Sequence, residues 1–173
     1  MRKLSNVEAI LAVDSMNGLA KNGKLPWKSE TDMKFFRNIT LGYNVVMGIT
    51  TFLSLPNSQP LKKRTNFVIT NNKEKYSNIY KDIENLYFVS LQEIIDRMKY
   101  DESDDLDYVN RYFIVGGKQI YDLLIPYCCC VHLTKFKKSY NCDLIYDISI
   151  LNKYFKTKDE LYCDDELELL LFT

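Results

Sequence analysis

The sequence predicts an α/β fold: a single three-layer domain with a central, mostly parallel sheet, helices on both faces and an antiparallel C-terminal edge. Short apolar runs alternate along the chain with segments of helical periodicity, which is the order of βαβ units. Several of these runs are continuously apolar, which is typical of parallel strands that are buried on both faces. The length of 173 residues fits one domain, so we assign residues 1–173 to a single unit.

The predicted elements follow one another in a regular order. Six runs rich in β-branched and aromatic residues predict strands over 10–13, 44–47, 66–69, 86–89, 112–115 and 131–134. Apolar residues at helical spacing predict helices over 31–39, 91–98 and 119–125. The second helix starts with the capping box Ser90-Leu91-Gln92-Glu93, and the third ends at Pro126. The tail is expected to supply the edge strands, and the acidic stretch 101–107 a solvated loop.

The charge balance and the length of the apolar stretches exclude several classes of function. Lysine plus arginine equals aspartate plus glutamate, with 23 of each, so no overall field attracts nucleic acid or an anionic membrane. The apolar stretches near both ends are too short for a secretory signal or a membrane span. We therefore expect a cytoplasmic protein that binds neither nucleic acid nor membrane.

The cysteine and histidine content predicts neither a metal centre nor a disulfide framework. The five cysteines lie at positions 128, 129, 130, 142 and 163 without a C-x-x-C pair, and His132 is the single histidine. We expect the three consecutive cysteines to be small core residues at the start of a strand, in a reducing compartment. His132 is expected to be a satisfied or exposed strand residue.

A long segment, 12–27, leaves the first strand and ends at the only tryptophan, Trp27. Loops of this length usually carry function. Five residues later, Asp32 lies in the first turn of a helix that then presents Phe35 and Phe36. Asp32 either completes the cap pattern Ser29-x-x-Asp32 or holds a flat, nitrogen-rich heterocycle through paired charge-assisted hydrogen bonds. The spacing leaves both interpretations open.

Two strand-to-helix turns contain glycines that allow a ligand to approach the backbone closely. Gly116 and Gly117 follow the strand 112–115, and Gly48 follows the strand 44–47. Neither turn has the G-x-G-x-x-G pattern of dinucleotide-binding proteins, so each is also compatible with a tight turn. Taken together, they predict two helix N-termini that face one anionic cofactor.

The basic run Lys62-Lys63-Arg64 precedes the strand 66–69. Such a run is usually a solvated loop. If it lines the same cleft, Arg64 is suited to bind a substrate carboxylate through its planar fork of donors.

Taken in order, these segments resemble the dihydrofolate reductase family. The resemblance runs from about residue 7 to residue 134. It is carried by Leu25-Pro26-Trp27 with Asp32 and Phe36, by Val46-Met47-Gly48 with Thr51, by Leu61 and Arg64 before a strand, by Val115-Gly116-Gly117 with Tyr121, and by Leu133-Thr134. The order and spacing of these motifs favour the ligand-binding interpretation of Asp32.

The resemblance implies an enzyme that reduces dihydrofolate to tetrahydrofolate with NADPH, for one-carbon and thymidylate metabolism, and that binds antifolates. The implied catalytic residues are Asp32, which binds the pterin amino group and adjacent ring nitrogen, Thr134, which assists it, and Trp27, which positions a water. The implied substrate-binding residues are Ile10, Met33, Phe36, Leu55, Leu61, Arg64, Val115 and Tyr121, with Arg64 on the glutamate α-carboxylate. The implied cofactor-binding residues are Ala12, Leu19, Ala20, Leu25, Gly48, Thr50, Thr51, Thr70, Asn71, Gly116, Gly117, Lys118, Gln119 and Ile120. No metal is implied, and Asp143 would steady the mobile loop.

Several positions depart from the family pattern. Ala20 replaces the usual loop glycine, Phe52 a tryptophan and Lys118 a small residue. Ile49 stands where the family usually has a basic residue, and Asn71 stands where a serine commonly meets the adenosine 2′-phosphate. These last two departures predict a reduced preference for NADPH over NADH.

Two other functions stay open at this point. A riboflavin-pathway reductase has a similar fold, but is not expected to need Trp27, Asp32, Phe36 and Arg64 together. A non-catalytic folate-binding module would keep the pterin pocket and lose its hold on the cofactor. The domain is expected to be a monomer if free-standing, or else fused to or partnered with thymidylate synthase.

Overall fold

The structure, a computed structural model, describes residues 1–102 and 110–173. Ten strands are formed by Leu4–Val13 (β1), Gly18–Ala20 (β2), Asn44–Gly48 (β3), Thr65–Ile69 (β4), Leu86–Val89 (β5), Tyr112–Gly116 (β6), Cys128–Phe136 (β7), Leu144–Ile145 (β8), Lys158–Cys163 (β9) and Leu167–Phe172 (β10) within this part of the chain. Six α-helices are formed there by Glu30–Thr40 (α1), Ile49–Ser54 (α2), Lys73–Ile79 (α3), Leu91–Glu102 (α4), Lys118–Leu124 (α5) and Leu151–Tyr154 (α6).

The centre of the fold is an eight-stranded sheet in the order β5-β4-β3-β6-β1-β7-β10-β9. The pairs from β5 to β7 are parallel, whereas β10 is antiparallel to both β7 and β9. The short strands β2 and β8 form a separate antiparallel pair. The predicted α/β class, with a mostly parallel sheet and an antiparallel C-terminal edge, is therefore confirmed.

The two faces of β1 carry the two main parts of the core. Val7 and Leu11 pack with Ile94 and Met98 of α4, and with residues of α5, on one face. Ile10 packs on the other face, in a cluster that also holds Phe36 of α1 and Phe52 of α2. Because successive strand residues point to opposite faces, β1 packs against helices on both sides of the sheet.

All six predicted strands are present. The structure differs from the prediction in where some strands begin and in a polar helix that was not predicted. β1 begins at Leu4, and β7 begins at Cys128, so the expectation of a strand start at the cysteines is confirmed. The capping box is also confirmed, because Glu93 N–H donates to Ser90 Oγ while Ser90 N–H donates to the Glu93 carboxylate. The helix α3 was not predicted, since its seven residues include none that is buried and so show no apolar periodicity.

The prediction of a solvated loop over 101–107 is wrong for its first two residues. Asp101 and Glu102 belong to the last turn of α4 and are not free. Asp101 accepts a hydrogen bond from the Tyr112 hydroxyl, and Glu102 pairs with Arg2. Residues 103–107 lie outside the described part of the chain. Within residues 1–102 and 110–173, none of the helices combines the length and apolar character needed to cross a membrane.

Candidate functional site

Asp32 lies in the first turn of α1 and directs its carboxylate toward the sheet. Ser29 is the N-cap, and its hydroxyl oxygen accepts a hydrogen bond of 3.2 Å from the Asp32 backbone N–H. The side chain of Thr134, which is buried on β7, lies near the Asp32 carboxyl and lowers its pKa by hydrogen bonding. Ser29 therefore caps the helix, whereas the carboxyl group of Asp32 faces Thr134 on the sheet.

The environment of this carboxylate favours its protonated form. Burial raises the pKa of Asp32 above its ordinary value, the hydrogen bond with Thr134 opposes that shift, and the charge of Glu166 adds to it. A carboxyl group with a raised pKa and few protein partners is typical of functional sites.

Tyr121 joins α5 to β1. Its hydroxyl donates a hydrogen bond of 2.9 Å to the backbone carbonyl of Ile10. Burial raises the pKa of Tyr121, and the charges of Tyr146 and Asp32 raise it further. Tyr121 is therefore neutral at physiological pH, and Asp32 is close enough to influence it. The predicted residues Asp32, Thr134, Ile10 and Tyr121 are thus brought together.

Trp27 is buried at the end of the long loop, where it packs against two aromatic rings. Its ring centroid lies 4.7 Å from that of Phe136 and 5.6 Å from that of Tyr140. Its indole Nε1 is buried and has no hydrogen-bond partner within residues 1–102 and 110–173. Because an indole N–H is a donor only and is rarely left unpaired when buried, this group is suited to meet a water or a bound ligand.

Apolar side chains from five segments of the chain form one wall of the site. Phe36 of α1, Leu55 after α2 and Leu61 before β4 pack in the same cluster as Ile10 and Val115. Met33 lies one helical turn before Phe36, but its side chain is 67% exposed and outside this cluster. Five of the six residues predicted as apolar walls therefore meet in one place.

Arg64 is held at the edge of this wall. Its Nη1 donates to Thr40 Oγ1 at 3.1 Å, its Nε donates to the Lys62 carbonyl at 2.9 Å, and its guanidinium lies 5.9 Å from the Phe36 ring centroid. Burial lowers the pKa of Arg64, and the nearby charge of Arg37 lowers it further. Two cations therefore lie close together at this edge, which suits an anion.

The sequence analysis missed Asn66, which fixes the loop that carries Leu61 and Arg64. The fully buried Asn66 amide accepts from Leu61 N–H at 2.9 Å and donates to the carbonyls of Leu61 and Arg64 at 2.9 and 3.0 Å. An asparagine inside an otherwise apolar strand run was the available signal, because a buried amide needs such partners.

Gly48 and Gly117 each lie close to a side chain of the helix that follows the other turn. A Cβ atom at Gly48 would lie 3.1 Å from Ile120, and one at Gly117 would lie 3.1 Å from Thr51 Oγ1. Gly116 has φ +121°, a conformation that side chains disfavour, and its peptide bond to Gly117 is cis. Neither α2 nor α5 has a side-chain cap, so the backbone N–H groups of their first turns remain available.

The side chains around these glycines offer little positive charge. Lys118 pairs with Asp122 at 3.0 Å, and Ile49 packs into the apolar cluster of Ile10. Thr70 is buried, and its hydroxyl oxygen accepts a hydrogen bond from the Asn72 backbone N–H. The remaining predicted cofactor contacts here are the exposed Thr50, Asn71 and Gln119. Lys73, a nearby lysine, is paired with Glu93.

The loop after β1 is anchored at its base by Asp14, which the sequence analysis did not single out. One Asp14 carboxylate oxygen accepts from Met16 N–H and Gly18 N–H, and the other accepts from Tyr140 N–H. Although burial raises the pKa of Asp14, these backbone hydrogen bonds lower it below its ordinary value. A Cβ at Gly18 would lie only 2.5 Å from Cys142, so the turn requires glycine there.

The predicted contact of Asp143 with the loop is present, since Asn22 N–H donates to its carboxylate at 2.9 Å. Among the predicted cofactor residues of this region, Leu19 is buried in the core on the α4 face, Ala12 and Ala20 are half-buried, and Leu25 is 62% exposed. The loop is thus fixed at β2 and exposed near Leu25.

Comparisons with known proteins give a consistent result. A family model described as dihydrofolate reductase matches residues 6–171. The chain is 29% identical over 161 residues to a dihydrofolate reductase of Ureaplasma parvum, covering 83% of this chain and 92% of that protein. It is 30% identical over 162 residues to a bifunctional dihydrofolate reductase-thymidylate synthase of Paramecium tetraurelia, covering 87% of this chain and 31% of that protein. The chain therefore spans about a third of that bifunctional relative.

Among solved structures, a dihydrofolate reductase from Enterococcus faecalis, complexed with NADP(H) and RAB-propyl, superposes with a TM-score of 0.72. That protein is 24% identical, and the alignment covers 99% of this chain and 98% of that one. This likeness shows the shared fold. Because the family model spans nearly the whole chain, the chain belongs to the dihydrofolate reductase family.

Proposed function

We propose that this protein is an NADPH-dependent dihydrofolate reductase, which transfers a hydride to the pterin ring of dihydrofolate and yields tetrahydrofolate. The observation that carries the proposal is the desolvated Asp32 carboxylate, which lies near Thr134 and one helical turn before Phe36 of the apolar wall. A single carboxylate in such a place binds an amino group and an adjacent ring N–H through two parallel hydrogen bonds. A pterin presents that pair.

In this proposal, the residues around Asp32 orient the ring and control its proton. Asp32 and Thr134 hold the amino side of the pterin, while Ile10, Phe36 and Val115 contact its faces. The unpaired Nε1 of Trp27 positions a water beside the ring, and that water delivers the proton that makes the adjacent carbon electrophilic. The reaction needs no nucleophile from the protein, because Asp32 only anchors the ring while the water supplies the proton.

The glycine turns fit a dinucleotide phosphate. At Gly48 and Gly117 a Cβ would crowd Ile120 and Thr51, so glycine lets these turns approach closely, and first-turn N–H groups of both helices are uncapped. When bound, NADPH supplies the hydride. Thr50, Thr51 and residues 116–120 would hold its phosphates, Thr70 and Asn71 the adenosine end, and Ala12, Leu19 and Ala20 the nicotinamide end. Leu25 lies on the loop that would close over it and exclude water.

The edge of the site fits the remaining part of the substrate. Leu61 packs in the apolar cluster and would contact the benzoyl group. Arg64, fixed by Thr40 and by the Asn66-locked loop, would bind the α-carboxylate of the glutamate tail. Leu55 and Met33 would complete the wall, and Tyr121 would support Ile10.

The deciding experiment follows NADPH oxidation with dihydrofolate as substrate. Steady turnover that is abolished by a methotrexate-like antifolate is expected. Tight antifolate binding without turnover would instead favour the folate-binding module. The neutral side chains at Ile49 and Asn71, which would bind a cofactor phosphate weakly, support that alternative. Turnover restricted to a ribityl-aminopyrimidine substrate would favour the riboflavin-pathway reaction.

We also propose that the protein lies in the cytoplasm and that it is a monomer when free-standing. The five cysteines are free, which agrees with a reducing environment. Association with thymidylate synthase is supported by the bifunctional relatives. Light scattering of the purified chain, alone and after size-exclusion chromatography with a thymidylate synthase, tests both points: a mixture that shows only the two separate masses would reject the association.

A further inference from the structure

Three potential metal ligands meet on one face of the sheet, outside the proposed folate site. Glu8 lies opposite Cys130 in the β1–β7 ladder, and Ile10 lies opposite His132. Because residues two apart share a face, the side chains of Glu8, Cys130 and His132 converge. Their ligand atoms all lie within 4.8 Å of one another.

The distances among these atoms are close to those of a tetrahedral zinc site. Cys130 Sγ lies 3.3 Å from Glu8 Oε2 and 3.8 Å from His132 Nε2, and His132 Nε2 lies 2.6 Å from Glu8 Oε2. Zinc bound to sulfur, nitrogen and oxygen separates those pairs by about 3.3–3.6 Å. The Cys130–Glu8 distance lies in this range, the Cys130–His132 distance has to shorten by about 0.2 Å, and the His132–Glu8 contact has to open by about 0.7 Å.

The neighbouring groups leave the ligand atoms usable. Arg111 pairs with Oε1 of Glu8, so Oε2 faces the cysteine and the histidine, and Arg111 orients the carboxylate as an outer-shell partner. The side chains of Glu8 and His132 are 9% and 12% exposed, and Cys130 is half-buried, so an ion can reach them.

His132 is not a fully satisfied structural histidine. Its Nε2 meets Glu8, but its Nδ1 is buried without a hydrogen-bond partner among residues 1–102 and 110–173. The sequence expectation of a satisfied or exposed strand residue is thus only half correct. The expectation of no metal rested on the absence of a C-x-x-C pair and on the single histidine, whereas this group combines ligands from two strands.

We propose that Glu8, Cys130 and His132 form a binding site for Zn²⁺, with the fourth position open to water. A thiolate, an imidazole and a carboxylate are all common zinc ligands, and together they favour zinc over the hard cations Mg²⁺ and Ca²⁺. Two anionic ligands balance the charge of the ion, and the open fourth position is typical of sites that exchange a ligand.

The experiment titrates the chelator-treated full chain with Co²⁺ and then displaces it with Zn²⁺. One equivalent of Co²⁺ is expected to give a thiolate charge-transfer absorption band and tetrahedral visible bands, both abolished by one equivalent of Zn²⁺. Cys130→Ala should remove the thiolate band. His132→Gln should weaken Zn²⁺ binding by more than the about 10–100-fold that loss of an outer-shell partner costs.

A second group, Glu160, Cys163 and Glu168, supplies the matched control. These residues also lie within ligand distance, but on the exposed antiparallel edge and without a histidine. Cys163→Ser should retain the thiolate band and the Zn²⁺ affinity of the parent. Loss of the band in Cys163→Ser and its persistence in Cys130→Ala would overturn the proposal.

Thermal melting keeps the proposal testable if a variant is poorly folded. Saturating Zn²⁺ should raise the Tm of the parent and of Cys163→Ser, because an ion that binds only the native state stabilises it. A parent that shows neither a band nor a Tm shift, or binding that is equal in all variants, would contradict the site.

Discussion

The two ends of the cleft are built in different ways. At the proposed pterin end, side chains make specific contacts: Asp32 with Thr134, Tyr121 with Ile10, and Arg64 with Thr40. At the proposed cofactor end, the close approach of glycine backbones defines the space, and most nearby side chains are neutral or paired elsewhere. Recognition by side chains depends on residue identity, whereas recognition by backbone N–H groups tolerates side-chain changes. This difference explains why the departures from the family pattern concentrate at the cofactor end.

The largest effect is expected at Asp32, where the pterin end depends on one charge. Asp32→Asn should fold normally but lower kcat by about 100- to 1,000-fold at neutral pH, because a neutral amide cannot stabilise the protonated ring equally well. Steady-state turnover of dihydrofolate measures this. Near-parental turnover in the folded variant would show that the pterin end does not depend on this side chain.

Arg64→Ala should be the next largest change and should depend on the ligand. Dihydrofolate and methotrexate-like antifolates carry the glutamate carboxylate and should lose about 2–4 kcal/mol of binding free energy, whereas trimethoprim-like inhibitors should bind almost unchanged. Calorimetric titration measures both classes. Arg37→Ala is the matched control, because Arg37 is exposed and should cost less than about 1 kcal/mol. Equal losses for both ligand classes would mean that Arg64 only supports the structure.

Gly117→Ala tests the backbone half of the comparison. The backbone of Gly117 is extended, so alanine is allowed there, but its Cβ would lie 3.1 Å from Thr51 Oγ1. We expect the KM for NADPH to rise about tenfold, near 1.4 kcal/mol, with the Kd of an antifolate unchanged. If antifolate binding weakens equally, the two ends are not independent.

How much the sequence reveals follows the same division. The apolar runs and caps predicted six of the strands, the edge strands of the tail and three of the helices, because periodicity reports burial directly. The short strands β2 and β8 were not predicted. Asp32 and Thr134 were identified only through the order of motifs, since no local pattern shows that two segments so distant along the chain meet. The Glu8–His132 contact was missed for a related reason: register between strands is not visible along one strand. Asn66 was missed although its signal, an asparagine in an apolar run, was present in the sequence.

The pH dependence of stability should distinguish the two ends as well. Because burial raises the pKa of Asp32, the folded protein binds the Asp32 proton more tightly than the unfolded chain does. Asp32 therefore destabilises the fold increasingly as pH rises from the unfolded pKa through the folded one. Asp32→Asn should be more stable than the parent at neutral pH and lose that advantage in acid. Urea unfolding at several pH values measures this. A constant difference would contradict it.

The smallest expected effect concerns cofactor choice. A 2′-phosphate carries close to two negative charges, and sites that select it normally offer arginine or lysine. Ile49 packs into the apolar cluster, Asn71 is neutral, and Lys73 is paired with Glu93, so discrimination between NADPH and NADH should be weak. Asn71→Arg, at an exposed position, should improve kcat/KM for NADPH by less than about tenfold and leave NADH unchanged, because exposed charge pairs contribute about 1 kcal/mol or less.

Ile49→Arg is the informative companion to Asn71→Arg, because Ile49 is half-buried and its replacement also removes apolar packing. The same charge should therefore bring a smaller gain at position 49, accompanied by a lower Tm. The ratio of kcat/KM for the two cofactors, in the parent and in both variants, measures the effect. A parent preference for NADPH of several thousandfold, improved by neither arginine, would mean that another cation already fills the phosphate site. Lys62, Lys63 and Lys75 would then be the positions to replace, and the cofactor end would depend on side-chain charge as strongly as the pterin end does.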